Sequence, residues 1–324
     1  NKNAWNAMAV YNKKDVLDSI KRINKTLNTS LRVRYEAINL ESKQFSSFLK
    51  TAQYDGAIIC LPDHLHFEAA KTILNHGIHC LVVKPLTPTV KMAKELIVLQ
   101  KRKNLYAAVE FHKRFDETNL YIKRAIDEKM LGEMLYFMVD YSQRINIPLN
   151  VFKAWSDKTN IFQYLGVHYV DLIYFLTGYL PKRAMGTGTK KILRQKGLNT
   201  YDSIHAIIEW QNPHQPKDVF ISQFNTNWID PNITTALSDQ KYKVVGTKGR
   251  IECDQKNRGI EVVHESLGIR HVNPYFSEYL YNPDGQLEFG GYGFKSINLF
   301  IKDVRDILSN KTNMLKLEKT RPTF

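Results

Sequence analysis

Residues 57–66 read Ala-Ile-Ile-Cys-Leu-Pro-Asp-His-Leu-His, and residues 78–85 read Ile-His-Cys-Leu-Val-Val-Lys-Pro. Ala57–Leu61 and Ile78–Val83 are unbroken apolar runs, the pattern of parallel strands covered on both faces. Between them His66–His76 has helical spacing and stops at Gly77, a C-terminal stop signal. Strand, helix, strand is the βαβ unit of a parallel sheet. The pattern continues on both sides. Thr89–Gln100 is predicted as a helix and Leu105–Phe111 as a strand, while Ala7–Tyr11 and the alternating Leu31–Ile38 read as strands around a helix at Val16–Leu27. This is the signature of an α/β, Rossmann-like doubly wound sheet, which binds ligands at the carboxyl ends of its strands.

The pattern changes after residue 117. A helix at Glu117–Lys129 precedes a long alternating run, Met134–Ile147, and an apolar helix, Phe162–Leu176, ends at Gly178. Strand-like segments follow at Arg183–Lys190, Ile204–Trp210, Asp218–Asn227, Lys241–Val245, Arg250–Asp254 and Gly259–Glu265. Gly246-Thr247-Lys248-Gly249 reads as a hairpin turn, and Lys295–Leu308 as a last helix. Consecutive strands flanked by helices predict an α+β domain with a large, mostly antiparallel sheet. The expected division is 1–117 and 118–324.

The chain has 324 residues, 46 Lys and Arg against 32 Asp and Glu, and a net charge of +14. That length fits two domains at roughly 150 residues each. The longest apolar stretches fall far short of the ~20 residues of a membrane span. The positive charge favours an anionic partner, but the basic residues are scattered and form no stripe with interleaved aromatics, so nucleic acid is not an expected partner. Three Cys with no CxxC pair read as reduced thiols of a cytoplasmic protein, with Cys60 and Cys80 in buried strands. No cluster of Cys and His suggests a metal.

Three predicted strands deliver polar groups to one sheet edge. Pro62, Asp63 and His66 follow the first, Lys84 and Pro85 the second, and His112, Lys113 and Arg114 the third. In the second domain Tyr164, His168 and Asp171 have the spacing of one helix face. A polar stripe on an apolar helix is either a site or an internal hydrogen-bond network.

These motifs resemble the Gfo/Idh/MocA oxidoreductase family, named for glucose–fructose oxidoreductase and inositol dehydrogenase. Leu61-Pro62-Asp63-His64-Leu65-His66 is similar to its Thr-Pro-Asn-x-x-His segment, and Val83-Lys84-Pro85 to its Glu-Lys-Pro. Arg114-Phe115, the helix Gly166–Asp171 with Leu176-Thr177-Gly178, and the Gly246–Gly249 hairpin follow in the family's order. The resemblance implies a hydride transfer between NAD or NADP and a sugar, cyclitol or related carbohydrate alcohol or ketone. Lys84 inherits contact with the nicotinamide ribose and the reacting hydroxyl, and His168 the acid/base role. Leu61, Pro62, Asp63, His66, Pro85 and Arg114 are expected on the cofactor side. Arg144, Trp155, Tyr164 and Asp171 are expected near the substrate, with Lys153 and Arg258 in segments open to the same role. The family also forms dimers or tetramers, and Trp210, Phe220, Phe224 and Trp228 suit either that interface or a core.

Three departures stand out. Val83 replaces the Glu of Glu-Lys-Pro. Tyr164 replaces an Asp common in sugar and inositol dehydrogenases, and is read either as a phenolic acid/base or as packing. No Gly-x-Gly-x-x-Gly turn is present to cradle a pyrophosphate. Against the family pattern the chain therefore reads as lacking an N-terminal glycine-rich strand-turn and a C-terminal helix. Asn12, Lys13 and Lys14 stand where a carboxylate selects NAD, which favours NADP. A nucleotide- or sugar-sensing protein on the same fold is the alternative to an enzyme.

Overall fold

The alternation of apolar runs and helices becomes a parallel sheet. A computed structural model describes residues 13–324 except 33, 34, 39, 41, 42, 52, 53 and 267. The strand predicted at Ala7–Tyr11, and Asn12, lie outside the described residues. Helix α1 (Lys13–Leu27) and a second helix, α2 (Lys43–Thr51), precede β1 (Gly56–Ile59). The sequence reading missed α2, a short amphipathic helix that buries only Phe45 and Leu49. Leu31–Ile38 forms no strand among its described residues. There the Asn24 amide accepts from the Leu31 N–H (2.8 Å) and donates to its carbonyl (2.9 Å), which engages the groups a ladder would use.

Helix α3 (His66–Asn75) connects β1 to β2 (His79–Val83), and α4 (Val90–Lys103) connects β2 to β3 (Ala107–Glu110). The three strands are parallel in the order β1-β2-β3, with Ile59 opposite Val82 and Val83 opposite Glu110. Thr89 caps α4 by accepting the Met92 N–H (3.3 Å). Ile59, Cys80, Val82 and Ala107 pack on the face covered by α3 and α4, with Ile73, Leu74, Leu96 and Leu99. Cys80 is buried as expected, but Cys60 is exposed just past the end of β1.

From Phe111 to Phe276 the chain forms a second compact unit. A 3-10 turn, His112–Phe115, leads into α5 (Glu117–Asp127) and β4 (Met134–Arg144). A π turn, Phe162–Gly166, opens α6 (Val167–Thr177), which stops at left-handed Gly178. Strand β5 (Leu180–Thr189), a single turn α7 (Ile192–Gln195), and strands β6 (Ser203–Gln211), β7 (Val219–Asp230), β8 (Ser238–Gly246) and β9 (Gly249–Asp254) follow. The six-stranded sheet has the order β5-β6-β7-β4-β8-β9. Only the β4–β7 pair is parallel, so the sheet is mostly antiparallel. A separate hairpin joins β10 (Ile260–His264) to β11 (Gly268–Val272).

The core under this sheet contains Phe137, Tyr169, Trp210, Phe220, Phe224 and Trp228. Both tryptophans are fully buried with their N–H groups satisfied, Trp210 by Ser222 (2.7 Å) and Trp228 by the Tyr201 carbonyl (2.6 Å). Those aromatics therefore belong to the core. Leu180, Met185, Ile207, Val219 and Ile221 are the exposed large apolar residues of β5, β6 and β7.

The last stretch returns to the first unit, which comprises the described residues of Asn1–Glu110 with Ser277–Phe324. The two units thus divide after Glu110 rather than at 117, and the C-terminal segment does not belong with the second. After the hairpin β12 (Glu278–Tyr281) and β13 (Leu287–Gly290), α8 (Tyr292–Leu308) lays Phe300 and Val304 on Leu81, Tyr106 and Ala108. Beyond a short turn, α9 (Met314–Leu317), Thr323 bridges Ala108 as an antiparallel neighbour of β3. Buried Asp303 holds this arrangement, accepting from the Tyr106 hydroxyl (3.0 Å) and from Arg321 (2.7 and 3.1 Å). Helices thus cover both faces of the parallel sheet, as a doubly wound fold requires.

Candidate active site

In the first unit the polar groups gather where the strands end. After β1 the chain passes Leu61 and Pro62 into a 3-10 turn, Asp63–Leu65, that runs into α3. His66 is fully buried at the start of α3. Its Nδ1 lies 2.6 Å from the Pro85 carbonyl oxygen and its Nε2 2.7 Å from that of Leu61. One ring thus ties the loop after β1 to the loop after β2. Burial lowers its pKa, against the pull of the two carbonyls and Asp63, while Lys84 adds to the lowering.

Lys84, directly after β2, is 6% exposed. Burial pushes its ammonium down to about 8, opposed by the carboxylates of Asp63 and Glu110. At neutral pH the group is mostly charged, yet near enough to its midpoint to exchange a proton. The Lys84–Pro85 peptide is cis. Asp63 is 2% exposed, so three of the residues predicted for this edge are buried together. Lys13, by contrast, is exposed at the first position of α1, and Lys14 pairs with Asp18 (2.9 Å) on the same helix. Sequence reasoning passed over Glu110. Its signal was a lone carboxylate closing an otherwise apolar strand, Ala107-Ala108-Val109-Glu110.

The second unit holds the helix residues. His168 is buried on α6, its ring centroid 4.7 Å from that of His112. Phe276 meets His112 edge-on at 5.2 Å. His112 was noted at a strand end but not singled out; the contact joins positions far apart in the chain. Arg114 is bidentate to Asp171, Nε to Oδ2 at 2.8 Å and Nη2 to Oδ1 at 2.5 Å. Burial raises the Asp171 pKa above the ordinary carboxylate range, against the opposing pull of Arg114. Arg114 thus braces α6 within the second unit, and Asp171 serves that brace.

Tyr164 lies in the π turn, Phe162–Gly166, that opens α6. Its ring packs among Phe152 (4.9 Å), Trp155 (6.2 Å) and Trp228 (6.4 Å). Trp155 is likewise buried in this group. Arg144 donates to the hydroxyl (3.1 Å) and carbonyl of Thr234, closing a loop. Arg258 pairs with fully buried Asp116 at 2.5 Å and donates to Thr118 (2.8 Å), so it is an internal brace. Lys153 is exposed. Lys113, noted at the same strand end but not singled out, is buried, donating to Gln255 (2.7 Å) with its ammonium over the Tyr169 ring at 4.9 Å.

The strand ends were tested for a nicotinamide dinucleotide by their chemistry. Leu61, Pro62 and Pro85 beside a buried ammonium suit a neutral ring and ribose hydroxyls. The pyrophosphate needs backbone N–H groups at a glycine-rich helix start. Among the described residues α3 is preceded by Asp63-His64-Leu65 and α4 by Thr87-Pro88-Thr89, and neither contains glycine. The described residues therefore fit the nicotinamide end and supply no pyrophosphate cradle. Also among the described residues, no helix is long and apolar enough to cross a membrane.

Comparison with known proteins decides the family. Residues 4–111 match the profile described as an oxidoreductase family with an NAD-binding Rossmann fold, and residues 119–252 match the GFO/IDH/MocA C-terminal domain. The chain belongs to the Gfo/Idh/MocA oxidoreductase family. An uncharacterized oxidoreductase of Schizosaccharomyces pombe is 27% identical over 259 residues, 74% of this chain and 65% of that protein. Inositol 2-dehydrogenase of Rhizobium meliloti is 22% identical over 75% of this chain and 73% of its own length. A crystal structure of scyllo-inositol dehydrogenase from Lactobacillus casei with bound NAD(H) and scyllo-inositol aligns with a TM-score of 0.59. It is 17% identical over 82% of this chain and 74% of that one, a likeness of fold. The alignments span between about a third and two thirds of the first curated oxidoreductases matched.

Proposed function

We propose that this Gfo/Idh/MocA chain is an NAD(P)-dependent dehydrogenase or reductase acting on a secondary hydroxyl of a sugar, cyclitol or related carbohydrate. The observation that carries the reading is Lys84, a buried ammonium with its pKa near 8 at the carboxyl edge of the parallel sheet. Oxidising a secondary alcohol removes a hydride from carbon and a proton from oxygen. A nicotinamide cofactor, when bound, supplies the hydride acceptor and leaves the proton to the protein. Lys84 donates a hydrogen bond to the reacting oxygen and stabilises its developing negative charge. His168 takes the proton as the general base. The Arg114–Asp171 pair keeps α6, and with it His168, in position. Leu61, Pro62, Asp63, His66 and Pro85 shape the nicotinamide end.

Several finer features belong to the same reading. The aromatic group of Phe152, Trp155 and Tyr164 suits the apolar face of a sugar ring. Tyr164 acts there through packing. Asn12, Lys13 and Lys14 support NADP over NAD, and the exposed apolar residues of β5, β6 and β7 support a dimer or tetramer in the cytoplasm. A panel of sugars and cyclitols with NAD and with NADP, followed by nicotinamide absorbance, tests the proposal. Turnover is expected with at least one substrate, and Lys84→Met and His168→Asn should each lower kcat by about 100-fold or more. Near-normal turnover in Lys84→Met refutes the assignment. A folded protein that binds sugar without turnover would favour the sensing role.

A further inference from the structure

We propose that Glu110 is the positioning carboxylate of Lys84, supplying from β3 the negative charge that Val83 leaves out of the strand before it. The inference rests on the functional reading of Lys84 given above. Family members resembling this chain carry that charge one residue before the lysine, in Glu-Lys-Pro. Here that residue is Val83, and Val83 pairs in register with Glu110 on the adjacent parallel strand. Adjacent strands lie ~4.8 Å apart, so the glutamate stem starts one strand spacing from the family's carboxylate position.

Burial gives the argument its force. Glu110 is 6% exposed, at the end of a strand whose other residues are Ala107, Ala108 and Val109. A carboxylate in such a place is costly unless it is partnered. The Ser296 hydroxyl of α8 donates to it at 2.6 Å. A neutral hydroxyl fixes the orientation of the carboxylate without balancing its charge. The buried ammonium of Lys84 does balance it, and the two act on each other electrostatically. The other charged or titratable groups acting on Lys84 are Asp63, from the turn after β1, and His66, at the start of α3. Asp63 works alongside Glu110, and His66 against both. Glu110 touches neither substrate nor cofactor in this account; it acts through Lys84, by keeping the ammonium charged and by limiting its wander.

The test reads Lys84 directly. Protein carrying lysine labelled with carbon-13 at Cε is titrated by NMR, and the Lys84 signal is assigned by its disappearance in Lys84→Met. The wild-type midpoint is expected near about 8. Glu110→Gln, which keeps the Ser296 contact and the side-chain volume, should lower that midpoint by roughly one pH unit. Glu110→Asp should retain most of the wild-type value. Val83→Glu in the Glu110→Gln background should restore it, because Val83 is only half-buried and stands at the family's carboxylate position. If Glu110→Gln fails to fold, Ser296→Ala serves instead, freeing the carboxylate to wander and lowering the midpoint by a smaller amount. A Lys84 midpoint unchanged in Glu110→Gln, or one that Val83→Glu leaves lowered, overturns the proposal. This readout needs no turnover. Shifted midpoints together with full activity in Lys84→Met would uphold Glu110 and sink the catalytic reading alone.

Discussion

Replacing Arg114 by Met tests whether this arginine is a brace or a ligand contact. Its guanidinium makes two bonds to Asp171, at 2.8 and 2.5 Å, with the two side chains 11% and 9% exposed. Truncation leaves a carboxylate nearly buried and uncompensated, and breaking such a pair costs ~3–5 kcal/mol. At about 2–4 °C per kcal/mol for a unit of this size, the melting temperature should fall by roughly 6–20 °C. The loss should depend on pH, and its sign follows from Asp171. Burial already raises that pKa in the folded state, so its favourable contribution is present at low pH and fades as pH rises through the folded value. Without Arg114 the pKa climbs further. The variant's deficit is therefore full well above the raised Asp171 pKa and shrinks as the pH falls and Asp171 takes up a proton. Adding Asp171→Leu should recover most of the loss, since an apolar pair replaces an ion pair at little cost. Urea midpoints and calorimetry at high and low pH measure both variants against the wild type. A loss below about 1 kcal/mol, or one equal at both pH values, refutes the brace. Unchanged stability with a raised cofactor KM would return Arg114 to the cofactor.

Two further variants separate packing from chemistry. Tyr164→Phe keeps the ring contacts with Phe152, Trp155 and Trp228 and should leave kcat within a few-fold, whereas Tyr164→Ala should cost about 3 kcal/mol in a urea titration; a loss in Tyr164→Phe of about 100-fold would make the hydroxyl catalytic. Gly246→Ala should destabilise by about 2 kcal/mol or more, because a Cβ there would lie 2.9 Å from the Glu133 carbonyl oxygen and closer still to that of Leu131. Gly249→Ala is its control, meeting only Leu131 Cδ2 at 3.8 Å, and equal melting temperatures for the two would undo the steric argument.

The architecture was legible where one physical signal dominated. β2 and β3 were readable because buried parallel strands are continuous apolar runs, and α3 because Gly77 closes a regular helical pattern. β6 through β9 were readable from alternation, since one sheet face is core and the other is not. Leu31–Ile38 alternates equally well and forms no strand among its described residues, where the Asn24 side chain takes both backbone groups of Leu31. Alternation reports that a segment can pair, and it is silent on whether a partner is present. The domain boundary failed for a related reason. Among the residues that return Ser277–Phe324 to the first unit are Asp303 and Thr323, and their partners Tyr106 and Ala108 lie about two hundred residues earlier. No local pattern carries that information.

The same limit bears on the candidate site residues. Lys84 and His66 sit at the strand ends, where topology alone delivers them. The arginines were not legible, because a guanidinium in a segment near a site reads identically whether it faces a ligand or a carboxylate. Arg114 meets Asp171, Arg144 meets Thr234 and Arg258 meets Asp116, each through a partner 57 or more positions away. A net charge of +14 therefore overstates what the interior can offer an anionic substrate. A useful discriminator follows for buried cations in such folds. An arginine locked bidentate to a carboxylate holds structure, since its charge is neutralised and its fork geometry satisfied. A lysine whose counter-charges sit on neighbouring strands, and whose ammonium burial has brought near neutrality, remains able to exchange a proton with a ligand. By that criterion the proposed chemistry falls to Lys84, and the carboxylates of Asp63 and Glu110 oppose the effect of burial on its charge.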